Sequence, residues 1–252
     1  MDKLTARVLR HVLYQDRRYM LYAWTRERGP LSFSVISSRG AGGLMHSGQI
    51  RPLQELDLVV SSPNQARVLR VREMSLTPHS PKEIRGYTAT AWSVVAEWLA
   101  AVLAEGQPEP AYYDAFTGQL QRGALPEGQA KDDALLWTAV CVTGLSRHLG
   151  FAPDPATYLH GSVLSGNSGL WLHAEASSAA FSPGWCMGVS TSHLYAKLLS
   201  LNLAQSAPQD LSKALMDTQG LLPAFLTDLA RYFQEHASGF RVPRYLPVLL
   251  EM

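Results

Sequence analysis

The sequence predicts an α+β protein in two parts. A small closed β-barrel over residues 1–78 is followed by a mostly helical domain over 79–252, which carries a short β-hairpin at about 158–174. Three observations carry that expectation. Residues 5–73 alternate apolar and polar side chains in short runs broken by turn residues, the period of half-buried strands. Thr77-Pro78-His79-Ser80-Pro81 ends this pattern, and from residue 83 apolar side chains recur at helical spacing. The charge changes sign at the same place. Residues 1–80 hold 12 Lys and Arg against 6 Asp and Glu, a net +6, while the remaining 10 basic and 15 acidic residues make −5.

The strands read in order as follows. TARVLRHVLY places Ala6, Val8, Val12 and Tyr14 on one apolar phase, and RYMLYAWT follows after Gln15-Asp16. Gly29-Pro30 turns the chain into LSFSVIS, and the glycine-rich stretch 37–49 reads as a long loop. LQELDLVVS and ARVLRVREMSL are two more strands, separated by Ser62-Pro63-Asn64. Five short strands at this spacing suit a small closed barrel; the OB-fold is the best-known example, and an SH3-like barrel has a similar strand count.

Ser80-Pro81-Lys82-Glu83 predicts a helix start, with serine as cap and proline at the first helical position. Ile84, Tyr87, Ala91, Val94, Trp98 and Val102 then give a helix over 83–104, and PAYYDAFTGQLQRGAL begins another after Gly106–Pro110. DDALLWTAVCVTGLSRHLG is apolar on nearly all sides and reads as a buried central helix, capped by Asp132 or Asp133 and stopped by Gly150. LHGSVLSGNSGLWLHA reads as the hairpin, with Gly166-Asn167 near its tip. Helices resume at about Ser192–Ala204, Asp210–Met216 and Leu221–His236.

Composition limits the function. With 46% hydrophobic and 17% charged residues, the chain has the make-up of a folded protein. No apolar run approaches the roughly 18–20 residues that span a bilayer, and Met1–Asp16 lacks an export signal. Two cysteines, Cys141 and Cys186, cannot form a disulfide framework, so a reducing cytoplasm is expected. His173, Cys186 and His193 show no CxxC, HxxxH or HExxH spacing, and neither a metal nor a cofactor is expected. Cys186 ahead of His193 can be drawn as a nucleophile and base, which keeps a cysteine hydrolase as a distant alternative. No GxSxG, GxxxxGK[ST] or strand-borne GxGxxG occurs, and the chain reads as a non-enzyme.

The basic barrel remains. Eleven of its twelve cations are arginine, interleaved with Tyr14, Tyr19, Tyr22, Trp24 and Phe33. Such a surface holds single-stranded nucleic acid, phosphates meeting charge and bases stacking on rings. Arginine suits it because its plane both stacks and forks onto phosphate. Arg17, Arg18, Arg26, Arg28, Arg39 and Arg51 are the candidate phosphate contacts, whereas Trp24 and Phe33, in alternating strands, are expected to fill the barrel. Arginine-aromatic surfaces also serve as protein hot spots, so an adaptor whose barrel binds another protein is the competing reading.

Several segments in order carry a resemblance. Val8-Leu9-Arg10, Thr25-Arg26-Glu27-Arg28-Gly29, Ser38-Arg39-Gly40 and Ile50-Arg51-Pro52-Leu53 running into Leu56-Asp57-Leu58 occur in the barrel. Glu109-Pro110 before Tyr112-Tyr113, Leu145–Pro153 and the closing His236–Met252 occur in the helical half. With these the chain resembles the bacterial RecO family of recombination mediators over nearly its whole length. The resemblance implies an OB-fold, a helical domain and no catalytic site, in a cytoplasmic, nucleoid-associated protein. It implies binding and annealing of single-stranded DNA, contact with the C-terminal tail of single-stranded DNA-binding protein, and partnership with RecR in loading RecA. Many members carry a four-cysteine zinc element after the Leu-Gly-Phe segment; only Cys186 stands there in this chain, as in the zinc-free branch. An acidic, phenylalanine-ending tail needs an apolar slot beside a cation, for which Arg122, Lys131, Arg147 and Lys197 are the candidates.

Overall fold

The computed structural model describes residues 1–15, 18–36, 50–61, 68–81, 84–122, 131–173, 185–201 and 215–252, without the side chains of residues 15, 121, 122, 173, 216 and 219. Five strands, β1 (Asp2–Gln15), β2 (Arg18–Thr25), β3 (Gly29–Ile36), β4 (Glu55–Ser61) and β5 (Val68–Leu76), close a barrel in the order β1-β2-β3-β5-β4. Neighbours run antiparallel except β3 and β5, where Ser32, Phe33 and Ser34 lie parallel to Val68, Leu69 and Arg70. The barrel is OB-like. Its interior takes Leu4, Ala6 and Val8 from β1, Leu21 and Ala23 from β2, Phe33 and Val35 from β3, Leu56, Leu58 and Val60 from β4, and Leu69, Val71 and Met74 from β5. Each Leu, Val or Phe so buried contributes about 1.5–3 kcal/mol. A slip of one residue would turn a whole strand's set to solvent, so register is firmly held.

β1 contains such a slip by design of its sequence. Its pairing with β2 shifts between Val8 and Arg10, leaving Leu9 as an extra residue. Before this bulge the even-numbered side chains enter the barrel; after it Arg10 and Val12 face outward. The expectation that Val12 and Tyr14 continue the phase of Ala6 and Val8 is therefore corrected, for they are 58% and 64% exposed.

Phe33 fills the barrel as expected, but Trp24 does not. It sits on the outer face of β2, buried beneath α2 (Pro110–Arg122) against Tyr112, Tyr113 and Phe116. Arg7, paired with Trp24 across the strands, is buried there too. Its guanidinium donates to the Leu53 carbonyl, to the Glu55 carboxylate at 2.7 Å and to the Thr117 hydroxyl. Glu55 also accepts the Tyr113 and Thr77 hydroxyls. The turn after Arg28 needs its glycine: Gly29 has φ +68°, and a Cβ there would come within 2.0 Å of the Gln107 carbonyl oxygen.

The helix expected to start at Ser80 begins at Gly86, as α1 (Gly86–Val102). The Ser80 hydroxyl accepts the backbone N–H of Glu55, so it satisfies the first residue of β4 rather than a helix end. Lys82 and Glu83 lie outside the described residues. In α3 (Lys131–His148) every residue from Ala134 to Thr143 is buried. Asp132 and Asp133 lie within its first turn, not at the cap, and there offset the helix dipole. A two-stranded sheet, β6 (Ser162–Leu164) with β7 (Trp171–His173), forms the hairpin. The helices α4 (Val189–Ser200), α5 (Leu222–His236) and α6 (Leu246–Glu251) follow, while most of the helix expected at Asp210–Met216 lies outside the described residues.

By internal packing the chain divides into two units, Met1–Thr117 and Gly118–Met252. The barrel ends at Leu76, near the boundary read at 78, and α1 with the first part of α2 belongs to the first unit. The charge contrast shrinks accordingly. The first unit holds 14 Lys and Arg against 11 Asp and Glu, or +3, and the second holds 8 against 10, or −2. Among the described residues no helix is long and apolar enough to cross a membrane.

Candidate nucleic-acid interface

The pairing registers define two rows on the outer face of the barrel. Arg10 pairs with Tyr22, Tyr22 with Ser32 and Ser32 with Val68; one step along, Val12, Met20, Ser34 and Arg70 line up. Residues that pair in a sheet share a face. The Leu21, Ala23, Phe33, Val35 and Leu69 side chains occupy the opposite, interior face. Arg18, two residues before Met20, continues the outer face toward the end of the strand.

The composition of this face is that of a stacking platform with cations at its corners. The Arg10 guanidinium lies over the Tyr22 ring, 5.2 Å from its centroid. Arg10, Arg18 and Arg70 are exposed, and Tyr22 is half-buried. Burial first, and then the Glu105 carboxylate, raise the Tyr22 pKa above its ordinary value, so the phenol stays neutral. Glu105 also accepts a hydrogen bond from Ser32 at 3.3 Å, which puts an acidic group at one edge of the platform. At strand spacings of about 4.8 Å and about 3.3 Å per residue, the three arginines cover roughly 14 Å in each direction. That area equals the footprint of a few nucleotides, the lower end of OB-fold site sizes.

Of the four described arginines among the six read from the sequence, only Arg18 continues this outer face. Arg51 is exposed and near His11, whose pKa is lowered by burial and, second, by the Arg51 charge. Arg26 and Arg28 stand in the turn at the far end of β2, and each meets a carboxylate. Arg26 Nε and Nη2 donate to both oxygens of Asp114 at 2.7 Å, and Arg28 Nη2 donates to Asp2 at 2.9 Å. Arg17 and Arg39 lie outside the described residues. Sequence reasoning left Arg10 and Arg70 out of the site. The signal for Arg10 was the run of adjacent apolar residues, Val8-Leu9 and then Val12-Leu13-Tyr14, which no unbroken alternation accommodates.

Among the described cations proposed for a partner tail, Lys131 and Arg147 stand at opposite ends of α3, whereas Arg147 and Lys197 share the end of α4. Lys131 Nζ donates to the Leu250 carbonyl at 2.7 Å, closing the end of α6. Arg147 donates to the carbonyls of Leu199 and Leu201, at the end of α4. Lys197 is half-buried in the last turn of α4, and Arg122 has no described side chain. A groove of about 410 Å³ runs between α5 and α6, lined by Ala230, Val242, Leu246 and Leu250 together with Arg231, Glu235 and Glu251. One cation against two carboxylates gives it the wrong sign for an acidic peptide.

Cys141 is fully buried, and burial pushes its thiol well above the ordinary range, which leaves it unreactive. Among the described residues no group of three or more His, Cys, Asp or Glu side chains is placed to hold a metal ion. Compared with protein-family models and with curated proteins, the chain matches none.

Proposed function

We propose that the barrel binds single-stranded DNA on the outer face of β1, β2, β3 and β5, and that the chain is a non-enzymatic recombination mediator of the RecO type. The observation that carries this reading is the row Arg10–Tyr22, a cation stacked on a ring beside exposed Arg18 and Arg70 on one face of an OB-like barrel. Phosphates pair with the arginines and bases stack on Tyr22, and on the exposed Tyr14, which lies further along β1 near Arg18. Neutralising two polyanions on one surface lowers their repulsion, so annealing of complementary strands follows. Contact with the tail of single-stranded DNA-binding protein, partnership with RecR and loading of RecA rest on the sequence resemblance. The tail is tested by peptide binding to charge reversals at Arg147 and Lys197; unchanged binding in both removes these cations from the proposal.

The test is fluorescence anisotropy with a labelled oligonucleotide across a salt series, comparing the wild type with Arg10→Ala/Arg70→Ala. Affinity that falls with salt in the wild type and drops in the double variant supports the reading. Binding that ignores salt, or the loss of both arginines, overturns it. A second reading is favoured by one observation: Val12, Leu13 and Tyr14 are consecutive, apolar and largely exposed, as in a protein-docking strand. In that case the barrel belongs to an adaptor, and the oligonucleotide does not bind at all.

A further inference from the structure

We propose that His160 and His193 form a two-histidine site for an imidazole-preferring divalent cation of the zinc, nickel or copper class, tying the turn before β6 to α4. The two rings lie with centroids 5.7 Å apart and planes at 79°. Both side chains are exposed, so an ion and its waters can reach them. A shared ion about 2.0–2.1 Å from each ligating nitrogen, at a tetrahedral angle, places the ring centroids about 5.2 Å apart. The centroids therefore lie within about half an ångström of that separation, and rotation of the two exposed side chains turns a nitrogen of each ring toward the shared ion.

The surroundings supply what a metal-binding histidine needs beyond the ligand atom. Tyr158 Oη lies 3.2 Å from His193 Nδ1, and the Tyr158 ring packs edge-on against Trp171 at 5.0 Å. With Nδ1–H donated to the tyrosine oxygen, Nε2 of His193 is left as the ligand, and the second partner fixes the ring's orientation. His160 stands in the turn that enters β6, and His193 is on α4, so one ion bridges two elements that are remote in sequence. Water completes the coordination, which makes this an exchangeable site rather than a closed structural one. Imidazole nitrogen selects zinc, nickel and copper over magnesium and calcium, which prefer oxygen.

The site is independent of the DNA reading and is tested without nucleic acid. Tag-free full-length protein is titrated with Zn(II), Ni(II) or Mg(II) by calorimetry, and its melting is followed with and without each ion. The expected result is one Zn(II) or Ni(II) per chain, no Mg(II), and a higher melting temperature only with the bound ions. His160→Ala and His193→Gln each weaken binding at least tenfold while His148→Ala does not, and Tyr158→Phe weakens it about tenfold. Equal zinc and nickel binding by the wild type, His160→Ala and His193→Gln overturns the proposal, as does a wild type that binds neither ion.

Discussion

Asp114→Asn is the sharpest perturbation of the proposed DNA surface. Its carboxylate holds Arg26 through two parallel 2.7 Å hydrogen bonds, the fork geometry that a phosphate would otherwise receive. Both partners are about half exposed, 47% and 52%, so the pair does little for stability and the variant should melt close to the wild type. Its effect on binding is calculable. If Arg10, Arg18 and Arg70 on the platform, and Arg51 outside it, each meet a phosphate of a long oligonucleotide, log affinity falls with log salt at a slope of about −2.8, at about 0.7 per single-strand contact. Release of Arg26 adds one contact and steepens the slope to about −3.5. Between 50 and 200 mM salt, affinity then falls about 130-fold in the variant against about 50-fold in the wild type. Arg26 lies roughly 26 Å from Arg18, at the other end of β2, so only a long oligonucleotide reaches both. Anisotropy with a 20-mer and a 6-mer of thymidine separates the cases. The steeper slope must appear with the 20-mer and vanish with the 6-mer. Equal slopes on the 20-mer refute the contact, even if the variant binds somewhat more tightly, because loss of one negative charge at a distance acts without ion release.

Three further outcomes follow from other parts of the first unit. Tyr22→Ala should cost about 1–3 kcal/mol of oligonucleotide affinity through lost base stacking, and Tyr22→Phe should retain most of it, as read by the same anisotropy. Arg7→Met strands the Glu55 carboxylate and should destabilise by about 3–5 kcal/mol in urea unfolding, whereas Arg7→Met/Glu55→Leu should recover much of that loss. His11 has its pKa lowered in the folded chain, so the unfolded chain takes the proton more readily. Its contribution is fully present above the unfolded histidine pKa and is lost as pH falls through the lower folded value. Melting followed from pH 7.5 to 5 should therefore show a decline that His11→Leu reduces; an identical decline in both would remove His11 as a cause.

Much of the fold was legible because strand and helix periods are local. Leu58 and Val60, or Phe33 and Val35, announce an interior face by alternation alone, and the buried face of α5 repeats at Leu222, Phe225, Leu226, Leu229 and Phe233. What local pattern misleads about is competition from afar. Ser80-Pro81 carries a helix-start signature, yet its hydroxyl is taken by the Glu55 N–H, 25 residues away. Trp24 reads as barrel filling because its strand alternates, but its burial comes from the aromatic face of α2, which the strand pattern cannot contain. The charge contrast between the two parts was overstated for the same reason. Glu105, Glu109 and Asp114 belong in sequence to the helical half and in space to the barrel's unit.

The candidate site shows why counting arginines gives a surface no definition. Eleven arginines in the first 80 residues could lie anywhere on the barrel; register decides which share a face. The extra residue at Leu9 turns Arg10 out beside Tyr22, and without it Arg10 would share the interior phase of Val8. Deleting Leu9 therefore tests the whole construction with one change. If the strand re-registers, Arg10 and Val12 are driven toward the core and the barrel should unfold or bind DNA poorly. If the variant folds and binds as before, the bulge has no part in building the platform, and the assignment of Arg10 to it fails.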